Sequence, residues 1–193
     1  HPIHYGLDAT LFQPGTPNRE PGTIAMHGSF DTHHLGPIAA RAIVNIALAR
    51  PETRFLFIGT ETDALKTLAK RVHADAPLVK LECTGFVPYA EVAGRLGQAG
   101  VGIIPYEPSA GAHCAFVAKF VEYTALGLPV VSTPLAGVKA YFDGEPSVRF
   151  SGFDGGTFAE GVLDVLDNPP PQAESERLAK RVADEEVALG VAV

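Results

Sequence analysis

The chain has 193 residues, 46% of them hydrophobic and 19% charged, which is enough length to bury a substantial core and too much apolar content for a disordered segment. A formal charge of −7 and a pI near 5.4 argue against a broad basic surface for nucleic acid, so an anionic small molecule has to be met by a few local donors. The two cysteines, Cys83 and Cys114, lack CxxC spacing and point to free thiols in a reducing compartment, and no run of about 18 apolar residues is available to cross a bilayer.

Residues 1–20 show little periodicity and are expected to be a linker entering the domain. His1-Pro2-Ile3-His4 lacks the basic then apolar pattern of a signal peptide, and the only methionine, Met26, points to a fragment or a processed chain. Beyond the linker, short apolar runs alternate with longer amphipathic stretches, the pattern of β-α units that build a parallel sheet covered on both faces. Strands are expected at 23–28, 54–59, 79–84, 101–105, 128–132 and 147–150. Helices are expected at about 36–50, 62–74, 89–97, 115–126, 137–142 and 157–167. The result is an α/β fold with a doubly wound, parallel, six-stranded Rossmann-like sheet over residues 21–168. Asn168-Pro169-Pro170-Pro171-Gln172 interrupts the last unit, and 169–193 reads as a linker followed by a charged closing helix over 173–189.

In open α/β sheets, ligands bind beyond the carboxyl ends of the strands. The first strand is followed by Gly28-Ser29-Phe30-Asp31-Thr32-His33-His34, where Gly28 permits close backbone approach and the next helix N-terminus can receive phosphate. Neither GxGxxG nor GxxxxGK[ST] occurs, which counts against hydride transfer and against a P-loop. After the third strand comes Gly85-Phe86-Val87-Pro88, and after the fourth a loop of small residues, Tyr106 to Cys114, that contains Gly111 and His113. His33 and His34 read either as phosphate donors or as ordinary loop histidines, while His27 reads as a core or edge histidine within a strand. With no HxxxH pair, no close carboxylate cluster and no GxSxG, neither a metal site nor a serine triad is supported.

The stretch from Lys119 to Val131 holds a helix, its stop and a buried strand. Gly127 supplies the cap, Pro129 forbids continuation, and Lys119 and Glu122 share a helix face. The pair reads as a solvated salt bridge, typically worth about 0.2–0.5 kcal/mol, or as a ligand-binding pair. Its orientation places lysine toward the positive end of the helix dipole and glutamate toward the negative end, the reverse of what stability alone favours.

These residues resemble the carboxyl-terminal, donor-binding domain of GT-B glycosyltransferases, above all the group 1 (family 4) type. Lys119 to Val131 is similar to its signature helix and strand, Gly28-Ser29 to its first phosphate loop, and His4-Tyr5-Gly6-Leu7-Asp8 with Phe12 and Pro14 to the linker that opens the domain. The resemblance implies a nucleotide-diphosphate sugar of UDP or GDP type as donor, with no other cofactor and no metal. It also implies an amino-terminal acceptor-binding domain that is absent from this sequence. Glu122 would hold the ribose hydroxyls, Lys119 would neutralise the diphosphate and stabilise leaving-group charge, and Gly28 and Ser29 would supply backbone contacts. Gly85, Phe86 and Val87 would line the base, with His33, Gly111 and His113 completing the expected donor site. Catalysis would be mainly electrostatic.

Two departures stand out against the family pattern. The second glutamate, eight positions before the first in many members, is replaced by Cys114, and the basic residue after the first loop is absent as Lys or Arg, leaving His33 or His34. The implied activity is transfer of a sugar to a polysaccharide, lipid-linked or small-molecule acceptor in a bacterial cytoplasm, with little turnover by this half alone. Any attachment to the inner face of the membrane would run through the absent half. A sugar-nucleotide epimerase or hydrolase of GT-B architecture and a non-catalytic nucleotide-binding module remain the competing readings, because a fold does not name a reaction.

Overall fold

The computed structural model describes residues 7–15, 19–109, 111–112 and 116–188. Its strands are β1 Glu20–His27, β2 Arg54–Ile58, β3 Lys80–Cys83, β4 Ala99–Ile104, β5 Val130–Ser132 and β6 Val148–Phe150. They form one six-stranded sheet in the order β3-β2-β1-β4-β5-β6, with each neighbouring pair parallel. The helices are α1 Pro37–Ala49, α2 Asp63–Asp75, α3 Tyr89–Leu96, α4 Ala118–Ala125, α5 Ala136–Phe142, α6 Gly155–Asp167 and α7 Gln172–Ala188. This is the doubly wound Rossmann-like fold expected from the alternation of strand and helix patterns.

The chain winds outward from β1 to β3, returns through α3 to β4, and winds outward the other way to β6. Right-handed crossovers therefore put α1 and α2 on one face and α3, α4 and α5 on the other. α1 packs against both α2 and α6, and α4 packs against α7. Buried from both sides, the central strands are almost wholly apolar, as in Ile24-Ala25-Met26 of β1 and Ile103-Ile104 of β4. α1 is apolar on most sides for the same reason, and where α6 crosses it Gly155 leaves no room for a side chain, since a Cβ there would lie 2.5 Å from Arg41 Cβ.

Several boundaries differ from the sequence expectation, each with a local cause. β1 begins at Glu20, because the Glu20 N–H donates to Gln98 O at 2.8 Å and extends pairing with β4. α6 begins at Gly155, because Asp154 accepts from the N–H groups of Gly156 and Thr157 at 2.8 and 3.0 Å. β5 is shorter than expected because Leu128 and Pro129 complete the stop of α4. Gly127 takes φ +64° and its N–H donates to Thr124 O, while the Leu128 N–H donates to Tyr123 O, both at 2.9 Å, the paired bonds of a Schellman motif.

Residues 7–15, expected as part of a linker, send Leu7 and Phe12 into the core. His4, Tyr5 and Gly6 lie outside the described residues.

Candidate functional site

The order of the sheet reverses between β1 and β4, and in open α/β sheets the loops leaving the strands at such a switch point border a ligand crevice at the carboxyl ends. Gly28 leaves β1 with φ +103° and its N–H donates to Ile58 O at 3.0 Å. A Cβ on Gly28 would sit 2.7 Å from Lys119 Cε and 3.0 Å from its Nζ, so the missing side chain is what lets the ammonium lie against the turn. Tyr106, just past β4, spreads its ring beneath the same ammonium, 5.7 Å from centroid to Nζ.

Lys119 is half-buried and makes no ion pair within 4 Å among the described residues. Burial pulls its pKa down, while the more distant carboxylates of Glu122 and Asp31 oppose that shift. The intrahelical salt bridge that the spacing allows is therefore not formed. Glu122, 8% exposed, turns instead to two other donors. His27 Nε2 lies 2.8 Å from Oε2, and the Tyr89 hydroxyl donates to Oε1 at 3.1 Å. Burial by itself would raise the Glu122 pKa, but the His27 and Tyr89 hydrogen bonds and the Lys119 charge outweigh it and hold the carboxyl below its ordinary range.

Behind Glu122 the chain of hydrogen bonds continues. The hydroxyl of Tyr123 accepts from the His27 backbone N–H at 3.1 Å and lies 3.2 Å from His27 Nδ1. The pattern is satisfied when Tyr123 donates to Nδ1 and His27 donates from Nε2 to Glu122. Burial raises the Tyr123 pKa well above its ordinary value, so this hydroxyl keeps its proton. Two consecutive helical residues thus grip the two nitrogens of one histidine at the end of β1.

The loops around the crevice are stitched together by Glu107. Its carboxylate accepts from the Ile38 N–H at 2.7 Å at the start of α1, and its own N–H donates to His33 O at 3.0 Å. The N-terminus of α1, expected to receive phosphate, is therefore already occupied by a carboxylate. A Cβ on Gly36 would lie 2.4 Å from the Glu107 side chain, which leaves that position to glycine.

The remaining expected site residues fall as follows. Ser29 is exposed, and its carbonyl accepts from His34 Nδ1 at 2.8 Å. His33 is exposed with its N–H donating to Asp31 Oδ1 at 2.9 Å, whereas the His34 ring packs against Tyr106 at a 39° tilt with centroids 4.2 Å apart. Burial first, and then the Lys119 charge, lowers the His34 pKa. Gly85 takes φ +74° and forms an isolated bridge to Gly59, Phe86 is 80% exposed, and Val87 packs on the core just before Tyr89. Gly111 is exposed at the far end of the Tyr106 loop, and His113 and Cys114 lie outside the described residues. Among the described residues no group of three or more His, Cys, Asp or Glu side chains is placed to hold a metal ion.

Sequence reasoning placed Gly28, Lys119 and Glu122 together and missed His27, Tyr89, Tyr106, Glu107 and Tyr123. Position was the available signal for two of them, since His27 ends the first strand and Tyr106 lies just past the fourth. The other three depend on partners distant in the chain.

No match is found among curated proteins. Solved structures align over nearly the whole chain at low identity. Sucrose-phosphate synthase from Thermosynechococcus elongatus matches with a TM-score of 0.68 and 18% identity over 96% of this chain and 47% of its own. AviGT4, a glycosyltransferase involved in avilamycin A biosynthesis, matches with a TM-score of 0.68 and 19% identity over 97% of this chain and 56% of its own. The pneumococcal O-GlcNAc transferase GtfA, solved in complex with UDP and GlcNAc, matches with a TM-score of 0.67 and 16% identity over 93% of this chain and 37% of its own. This chain thus spans about half or less of the length of these proteins, and at such identities the likeness speaks for the fold. The family itself is shown by sequence: the model for group 1 glycosyl transferases matches residues 22–168, most of the chain and all of β2 to α6, so the chain belongs to the group 1 glycosyltransferases.

Proposed function

We propose that this chain is the nucleotide-sugar donor-binding half of a metal-independent glycosyltransferase, and that its donor is a UDP- or GDP-type sugar. The observation that carries this reading is the Lys119 ammonium, held against Gly28 at the switch-point crevice without an acid in ion-pair distance among the described residues. A diphosphate would supply the missing negative charge and meet charge-assisted hydrogen bonds. Glu122, ionised and fixed beside it, would accept from the ribose hydroxyls. The exposed ring of Phe86, with Gly85 and Val87, would receive the base, and Ser29, His33, Gly111 and His113 would border the phosphates and sugar.

In this reading the chemistry is electrostatic. As the bond from the sugar to the diphosphate breaks, negative charge grows on the leaving phosphate, and a partly desolvated lysine is worth more there than in water. Acceptor binding is assigned to a further domain, which accords with the share of length that this chain spans in GtfA and AviGT4. Turnover by these 193 residues alone is therefore expected to be negligible.

Calorimetric titration of UDP-, GDP- and ADP-sugars tests the assignment. Lys119→Ala and Glu122→Ala should each weaken the nucleotide that binds by about 10- to 100-fold, the value of one charge-assisted hydrogen bond. Unchanged affinity in both variants would overturn the site.

A further inference from the structure

We infer that His27 is a positioning residue that fixes the carboxylate of Glu122 in the orientation that reads the ribose hydroxyls of the nucleotide, and so sets a preference for ribose over 2′-deoxyribose. The inference rests on the donor-site reading and adds to it a residue and a specificity.

A glutamate on a helix has three rotatable side-chain bonds, and a carboxylate that samples several rotamers must be ordered when it receives two hydroxyl donors at defined angles. Here that ordering is present beforehand. His27 is 7% exposed, its main chain is locked in the parallel ladder with β2, and its ring is held from behind by Tyr123, which is itself fully buried. The ring therefore presents Nε2 at a fixed point, 2.8 Å from Glu122 Oε2. The donor on the other oxygen is built differently. Tyr89 is 48% exposed, starts α3, and reaches Oε1 through a single hydrogen bond of 3.1 Å. An arriving hydroxyl can replace the Tyr89 phenol or share Oε1 with it, whereas the His27 anchor has no route to leave. One oxygen is a pivot and the other an exchangeable acceptor.

The helix sequence makes sense in these terms. Glu122 and Tyr123 reach Nε2 and Nδ1 of one ring because β1 ends beneath the first turns of α4. Gly102 in β4 makes room for this, since a Cβ there would lie 2.6 Å from Tyr123 Cδ2.

The test compares UDP with 2′-deoxy-UDP, and GDP with 2′-deoxy-GDP, by calorimetry on the 193-residue chain and on His27→Ala, His27→Gln and Glu122→Ala. The unaltered chain should prefer the ribonucleotide. His27→Ala should lower ribonucleotide affinity by about tenfold and 2′-deoxynucleotide affinity by clearly less, about threefold, because the deoxy form keeps only the 3′-hydroxyl contact to the carboxylate and has less to lose. His27→Gln, which keeps a donor in place of Nε2, should retain most of the preference. The deoxynucleotide is the internal control for a merely structural role, which would weaken both ligands in parallel and overturn the inference. If His27→Ala does not fold, His27→Asn and His27→Gln carry the same comparison: glutamine keeps the preference and asparagine, which lacks a donor at Nε2, loses it. A preference lost in Glu122→Ala but intact in the His27 variants overturns the inference and leaves the donor site standing. If the unaltered chain binds neither UDP nor GDP, or binds ribo and deoxy forms equally, the reading of Glu122 fails and the inference with it.

Discussion

Glu122 accepts from two placed donors and is continued inward by Tyr123, whereas Lys119, one turn earlier on α4, faces Gly28 and the Tyr106 ring without an acid in ion-pair distance among the described residues. The two ends of this helix face were equivalent as a sequence pattern and are opposites as sites. One is a completed network, in which the protein itself meets the cost of burying a carboxylate with hydrogen bonds. The other leaves a partly desolvated cation short of negative charge, an arrangement that stability does not favour and that a bound anion would relieve. The difference teaches that the fold holds a hydrogen-bond acceptor ready at Glu122, while it leaves the Lys119 cation without a counter-charge at ion-pair distance among the described residues.

The largest expected effect comes from breaking the completed end. Gly102→Val would drive a side chain into the buried Tyr123 ring, 2.6 Å from Cδ2 at the Cβ alone, and should cost about 1–3 kcal/mol in urea unfolding while displacing the hydroxyl from His27. An unaltered midpoint would mean that the Tyr123 ring is not seated as described.

Acid sharpens the comparison next. The Glu122 pKa is lowered from 4.5, and a carboxylate with a lowered folded-state pKa adds stability above the unfolded value and loses it as pH falls through the folded one. The stability gap between the unaltered chain and Glu122→Gln should therefore narrow as pH drops below about 4.5. A gap independent of pH in urea titrations would contradict the ionised network.

At the lysine end the sign should reverse. Lys119→Met removes a cation that burial disfavours and keeps much of the stem volume, so thermal unfolding should show a gain of up to about 1 kcal/mol even as nucleotide binding is lost. A net loss of stability would show that Lys119 supports the fold. The smallest effect belongs to Tyr106→Phe. The hydroxyl of Tyr106 is buried with no hydrogen-bond partner among the described residues, so its removal should change stability by no more than about 0.5 kcal/mol. A loss above about 1 kcal/mol would reveal a partner.

Much of the architecture was legible because apolar runs of strand length and amphipathic runs of helix length alternate along the chain, and parallel strands buried on both faces cannot hide their pattern. The ends of elements were less legible. Asp154 capping α6 and the Schellman turn at Gly127 moved boundaries by two residues each, through hydrogen bonds that periodicity does not encode. Within the site, Lys119 and Glu122 could be read because their helix carries a recognisable local motif. His27 could not, since a buried strand histidine looks like core until its partners are known, and Tyr123 lies 96 residues away. Glu107 shows the same limit from the other side. A carboxylate in a loop gives no sign that it will fill the helix N-terminus that phosphate seemed free to take.

By itself the sequence determined the fold class, the family and the two charges at the mouth of the crevice, because these follow from local periodicity and a contiguous motif. The tertiary structure alone decided that the two charges do not pair. Ion pairing within one helix turn is worth a few tenths of a kcal/mol in water, less than the buried hydrogen bonds that His27 and Tyr89 offer once β1 and α3 are folded around Glu122.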